Sequence, residues 1–167
     1  MTHRLKDLIL GDPRRVAGAV YGTIIVMSVL AAGARAYERH LWKLVVIGAV
    51  TVLVLWLAHV YAHGLSESLR IGRGVTIAEL WSIARREASI LAAAIPPLIA
   101  TGLGAAGVLS ERTGVLLGLW LGVAALTAQG LRYAQLEHLS PRAGALAVGL
   151  NLGIGLGLVA LEVWIAH

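Results

Sequence analysis

The sequence predicts an all-α protein, a polytopic membrane bundle of five transmembrane helices in one domain, residues 1–167. Three observations carry this prediction: five stretches without Asp, Glu, Lys or Arg, each 19 or 23 residues long, an apolar content of 58%, and a mean hydropathy of +0.80. At about 1.5 Å rise per helical residue, such lengths match a hydrocarbon core roughly 30 Å thick. The charge-free stretches are residues 16–34, 44–66, 88–110, 113–131 and 143–161.

The first two spans are predicted at residues 16–34 and 42–65. A basic segment precedes the first, as in a signal peptide, but the span exceeds the length of a signal peptide's apolar region and further spans follow it. We therefore expect the first span to be retained as a helix of the bundle.

A helical cytoplasmic segment, residues 76–87, is predicted between spans two and three. Thr76 followed by Glu79 forms a capping-box pattern ahead of an amphipathic run. This helix would lie on the inner membrane surface or extend into span three, and the lack of a helix breaker before Ala94 favours the extension. Span three, residues 88–110, contains Pro96 and Pro97, which predict a kink there, either for packing or as a hinge.

The last two spans, residues 113–134 and 143–166, carry small residues at four-residue spacing, which indicates faces for close helix contact. Packing within the chain and packing between two copies, as a homodimer, are both open. The small residues are Gly114, Gly118 and Gly122 in span four, and Ala145, Gly149, Gly153 and Gly157 in span five.

The distribution of basic residues predicts a cytoplasmic N-terminus and an outside C-terminus. With this orientation the inner segments hold ten of the 14 Lys and Arg residues and the outer segments four. The inner ten are Arg4, Lys6, Arg14, Arg15, Arg70, Arg73, Arg85, Arg86, Arg132 and Arg142. We expect an inner or plasma membrane, with the bilayer and its anionic headgroups as partners of the +5 net charge, and no nucleic acid.

The candidate site begins with His59 and His63, whose spacing places both imidazoles on one face of the second helix. Imidazoles can relay protons or bind a transition metal. A third metal ligand would come from another helix or a dimer partner, and Glu67, one turn beyond, is the nearest candidate in sequence. No carboxylate lies between the histidines, so a metalloprotease motif is absent. The alternative interpretation is that both rings are interfacial anchors.

Other polar residues are predicted at the same depth when each helix is laid in its expected direction. A polar vestibule open to the cytoplasm would satisfy them together. These further transport or binding candidates are Tyr21, Gln129, Arg132 and Asn151.

This layout resembles the vacuolar iron transporter family: five spans, an inner N-terminus, an amphipathic approach at residues 5–11 and a helical segment after span two. Pro97-Leu98 is similar to a Pro-Leu step of that family, Tyr21 stands where the family has Asp, and His63 stands near its Glu. The resemblance implies a dimer that exchanges divalent iron or manganese for protons, here with altered site residues and a different cargo.

Two functions follow as hypotheses. The first is a small transporter or channel for protons or a cation, with a divalent transition metal as one cargo and no resident cofactor assigned. The second is a non-transporting membrane scaffold or assembly partner that uses its glycine faces. The sequence offers no nucleophile–base set and no phosphate loop, so we predict that the protein is not an enzyme.

Overall fold

A computed structural model describes residues 13–37 and 40–166, which form six α-helices and no strand. The all-α prediction is therefore confirmed for this part of the chain, whereas the approach segment 5–11 lies outside it. The helices are α1 (Pro13–Gly33), α2 (Leu41–Ile71), α3 (Ile77–Glu87), α4 (Ser89–Ala105), α5 (Glu111–Leu136) and α6 (Pro141–Ala166).

Four of the described helices, α1, α2, α5 and α6, are long and apolar enough to cross a membrane. The number becomes five if α3 and α4 together form one bent span. Helices of this length and composition indicate a membrane-embedded protein.

Helices α3 and α4 are separated at Ala88, where their axes meet at 42°. An uninterrupted helix from Thr76 to Ala94 is therefore wrong. α4 continues through Pro96 and Pro97, where the kink stays a prediction. The bend at Ala88 arises because the two helices pack on different partners. The last turn of α3 packs against α2. α4, by contrast, packs along α5 and α1.

The predicted capping box at the start of α3 is confirmed. The backbone N–H of Glu79 donates to the Thr76 hydroxyl at 3.3 Å, and the Glu79 carboxylate accepts from the Thr76 backbone N–H at 2.8 Å. Before it, α2 ends at Gly72, whose φ of 69° closes the helix in the left-handed conformation that glycine favours. α2 and α3 therefore form a helical hairpin.

The hydrophobic core lies between α1, α2, α4 and α5, with α1 in contact with every other described helix. Its fully buried large side chains include Met27, Leu30, Leu44, Ile90 and Leu119. α6 packs mainly on α5 and contributes little buried surface of its own.

The glycine face of α5 is a site of close helix contact. A Cβ at Gly118 would stand 2.9 Å from the Pro97 carbonyl oxygen, and one at Gly114 would stand 2.8 Å from the Gly104 Cα. The expectation of a close-contact face is thus confirmed for α5, which uses it within the chain.

The corresponding face of α6 is open. Among residues 13–37 and 40–166, no atom outside the helix lies within 4 Å of a Cβ placed at Gly149, Gly153 or Gly157. Close packing of this face within the chain is therefore wrong: Gly155 instead approaches α5, with its Cβ position 3.2 Å from the Val123 Cα. Gly153 and Gly157 are each two positions from Gly155 and therefore project on nearly the opposite side of the helix. The four-residue spacing correctly identified a row of small residues, but that row faces away from α5.

Candidate functional site

A polar cavity of about 790 Å³ opens at one end of the bundle between α1, α2 and α3. We call it the vestibule. It contains four of the residues expected from the sequence: Tyr21, His59, His63 and Glu67. The full lining is Ala17, Gly18, Tyr21, His59, His63, Ser66, Glu67, Arg70, Ile83, Arg86 and Glu87.

His59 is half-buried on α2, and its Nδ1 lies 3.0 Å from the Leu55 carbonyl oxygen one turn earlier. A carbonyl only accepts, so this contact assigns the ring proton to Nδ1 and leaves the Nε2 lone pair available. The Tyr21 ring from α1 lies against the same imidazole, with centroids 5.3 Å apart. The site is therefore shared between two helices.

His63 lies one turn nearer the opening, with its ring centroid 6.2 Å from that of His59. Its Nδ1 is 3.2 Å from Oε1 of Glu87, the last residue of α3. The Glu87 side chain is 14% exposed and that of His63 is 55% exposed, so a largely buried carboxylate holds the ring at the cavity mouth.

Glu87 is the site residue that sequence reasoning missed. His63 and Glu87 lie 11 and 13 residues from Gly74, at the turn of the α2–α3 hairpin. Antiparallel helices bring residues at matching distances from their turn to the same level. Counting residues outward from the turn of the hairpin could therefore have predicted that His63 and Glu87 lie close together.

Glu67 is engaged elsewhere. Arg70 donates to it from Nε at 2.9 Å to Oε2 and from Nη2 at 2.5 Å to Oε1, a two-point ion pair along α2. Among the described residues, no three His, Asp or Glu side chains are grouped so that they could hold a metal ion. The predicted set of His59, His63 and Glu67 is thus not arranged as a metal shell.

Three of the expected site residues lie outside the vestibule. Gln129 and Arg132 belong to α5 and Asn151 to α6, and none of them lines the cavity. The vestibule is therefore not one cavity for all the polar groups, because it is lined by α1, α2 and α3 and these three residues belong to α5 and α6. The prediction used only the depth of each residue in the membrane. Depth does not determine which neighbouring helix a side chain faces, because that depends on the rotation of the helix about its own axis.

Asn151 faces α5, with its Nδ2 3.2 Å from a Cβ placed at Gly130. Asn151 donates from Nδ2 to the Ala147 carbonyl at 2.9 Å. Oδ1 of Asn151 and Oε1 of Gln129 are buried and have no hydrogen-bond partner in the described part of the chain. A shallow groove of about 860 Å³ lies nearby at the α5–α6 turn, and His138 lines it.

Among the described residues, the vestibule is lined by equal numbers of acidic and basic side chains. Its described lining contains the carboxylates of Glu67 and Glu87 and the guanidinium groups of Arg70 and Arg86, so the charges of these four groups cancel. Two ring nitrogens with available lone pairs remain in a cavity, an arrangement that can accept protons or bind a cation. Beyond Tyr21, α1 continues into the apolar core with Val26, Met27 and Leu30, all fully buried.

Comparison of the chain with protein-family models, curated proteins and solved structures gives no match.

Proposed function

We propose that this chain is a small integral membrane transporter or channel for protons or a cation, with the vestibule as its site. The observation that carries the proposal is a cavity that reaches His59 and leaves its Nε2 unused by the fold. Polar groups at membrane depth are costly, so their collection around a cavity favours a functional role over packing.

In the proposed orientation the N-terminus and the α2–α3 hairpin face the cytoplasm, and the C-terminus faces outside. The vestibule then opens toward the cytoplasm of a cell whose inner or plasma membrane holds the protein. Basic residues near the opening, Arg70, Arg73, Arg85 and Arg86, would contact anionic lipid headgroups.

The test is flux in proteoliposomes under a pH gradient and, separately, under gradients of zinc, cobalt, ferrous iron and magnesium. The double variant His59→Ala/His63→Ala should abolish the flux of the transported ion and keep the fold, because cavity-facing rings contribute little packing. His40→Ala is the matched control, since His40 is exposed and makes no side-chain cap bond.

Wild-type flux in the double variant would remove the histidines from the mechanism. Modest destabilisation with no flux in any preparation would favour the interfacial-anchor interpretation of the two rings.

A second candidate function is a scaffold or assembly partner, and the open α6 face favours it. In lipid, small residues permit the close backbone approach from which helix association draws its van der Waals energy. The partner would be a second copy of the chain, giving the homodimer that the resemblance to vacuolar iron transporters also implies. That resemblance remains a proposal.

A further inference from the structure

We infer that the vestibule binds a cation through N–H groups, either ammonium or a protonated primary amine, held between Nε2 of His59 and Nε2 of His63. This inference rests on the proposed function of the vestibule and names the chemical class of its guest. It is carried by the hydrogen bonds of the two rings, their separation and the surrounding side chains.

Both imidazoles present the same nitrogen. Nδ1 of His59 is committed to the Leu55 carbonyl, and Nδ1 of His63 to the Glu87 carboxylate. The two nitrogens of an imidazole lie on opposite sides of the ring, so each Nε2 points away from its ring's anchor. In the neutral ring Nε2 is then an acceptor, and a pair of acceptors selects a guest that donates.

The ring separation is compatible with a guest that is hydrogen-bonded to both rings. Two imidazoles that share a tetrahedral metal at about 2.0 Å would have centroids roughly 5 Å apart. Two imidazoles that accept N–H bonds of about 2.9 Å from one tetrahedral nitrogen would have centroids roughly 6.5 Å apart. The observed 6.2 Å is closer to the hydrogen-bonded arrangement.

The surroundings suit a positive, donating group. The Tyr21 ring, whose centroid is 5.3 Å from that of His59, brings an aromatic surface to the cavity lining, and a cation is stabilised when it lies within about 6 Å of a ring face. The two carboxylates and two guanidinium groups of the described lining balance one another. A volume of about 790 Å³ also accommodates the carbon chain of an organic amine.

Glu87 acts as a positioning residue in this arrangement. Its carboxylate fixes the His63 tautomer from α3 without itself touching the guest. Glu87→Gln keeps an accepting oxygen at this position and should keep guest binding, whereas Glu87→Ala frees the ring and should weaken binding.

The experiment is a titration of the protein, labelled with ¹⁵N in its six histidines and reconstituted in nanodiscs. Ammonium chloride, butylammonium chloride, sodium chloride and zinc chloride are the probes, and the ring nitrogen resonances are the readout. We expect saturable shifts at Nε2 of His59 and His63 with ammonium or butylammonium and none with sodium. The two amine arms separate a bare ammonium site from an organic amine site.

The variants give the energetic test. His59→Ala and His63→Ala should each weaken amine binding by about tenfold or more, the loss expected for one charge-assisted hydrogen bond, and His40→Ala should leave it unchanged. Amine binding is also measured in Glu87→Gln and Glu87→Ala. In both variants the ¹⁵N resonances of the His63 ring report its tautomer.

The outcomes separate this inference from the proposed function. Saturation by zinc with no amine response overturns the inference while cation transport stands. Amine binding without flux under any of the ion gradients, with an ammonium gradient added to the set, supports the inference and overturns transport. If no probe shifts the two Nε2 resonances and no ion moves in proteoliposomes, both are overturned.

Discussion

The indole N–H of Trp56 on α2 donates to the backbone carbonyl of Ala84 on α3 at 3.1 Å. Ala84 lies in the last turn of α3, where carbonyl groups have no partner within the helix. The bond satisfies one of these groups across the hairpin and helps to hold α3 against α2 ahead of the break at Ala88. It therefore supports the wall of the vestibule that contains Glu87.

Trp56→Phe should destabilise this wall by about 1–3 kcal/mol, because it keeps an aromatic ring and leaves a part-buried carbonyl without a donor. Hydrogen exchange of the α3 amides in nanodiscs measures the effect, which should be faster exchange confined to the hairpin. Trp120→Phe, at an exposed position on α5, is the control. Unchanged α3 protection in Trp56→Phe would contradict this role of the bond.

Replacing Gly118 with Leu should destabilise the bundle by at least about 1–3 kcal/mol, the usual range for overpacking. The added Cβ would stand 2.9 Å from the Pro97 carbonyl oxygen, and backbone cannot yield as a flexible side chain does. Thermal unfolding in detergent provides the measurement.

Gly153→Leu is the matched variant on the open face of α6, and it should leave the unfolding of the single chain unchanged because nothing lies within 4 Å. A lower oligomer mass in this variant alone would support a dimer through α6. Loss of monomer stability comparable to that of Gly118→Leu would show that the face is not open.

The start of α3 should weaken only in strong acid. The guanidinium of Arg73 first, and then the backbone N–H and hydroxyl of Thr76, lower the pKa of Glu79 from its usual 4.5 to about 2. A lowered folded-state pKa means that the stabilisation is present above pH 4.5 and is lost as the pH falls toward 2. A ¹³C carboxyl titration of Glu79 measures this directly.

Thr76→Ala should raise the pKa of Glu79 and reduce the stability of the α3 start by about 1 kcal/mol, as loss of a helix cap does. Titration of wild-type Glu79 near 4.5 would contradict the ion pair and the capping box together.

The orientation can be tested because the chain contains no cysteine. Ser82→Cys on α3 and Arg112→Cys at the start of α5 place single thiols at exposed positions on opposite sides of the membrane in the proposed topology. An impermeant thiol reagent applied to intact cells should label Arg112→Cys, and should label Ser82→Cys only after permeabilisation. The reverse pattern would invert the topology.

The sequence by itself determined the class of fold and several local features. Charge-free stretches of membrane length predict helices because the bilayer requires backbone groups to be satisfied within each segment. The capping box of Thr76 and Glu79, and the shared face of His59 and His63, also follow from short-range helix geometry, since each depends on residues three or four apart.

Only the tertiary structure decided which of these features meet. The pairing of His63 with Glu87, the separation of Gln129 and Asn151 from the vestibule, and the outward direction of Gly153 all depend on how each helix is rotated about its axis. That rotation is set by packing between helices distant in sequence. A periodic pattern gives the face of a helix that residues share, but the neighbours of that face are fixed by contacts across the bundle.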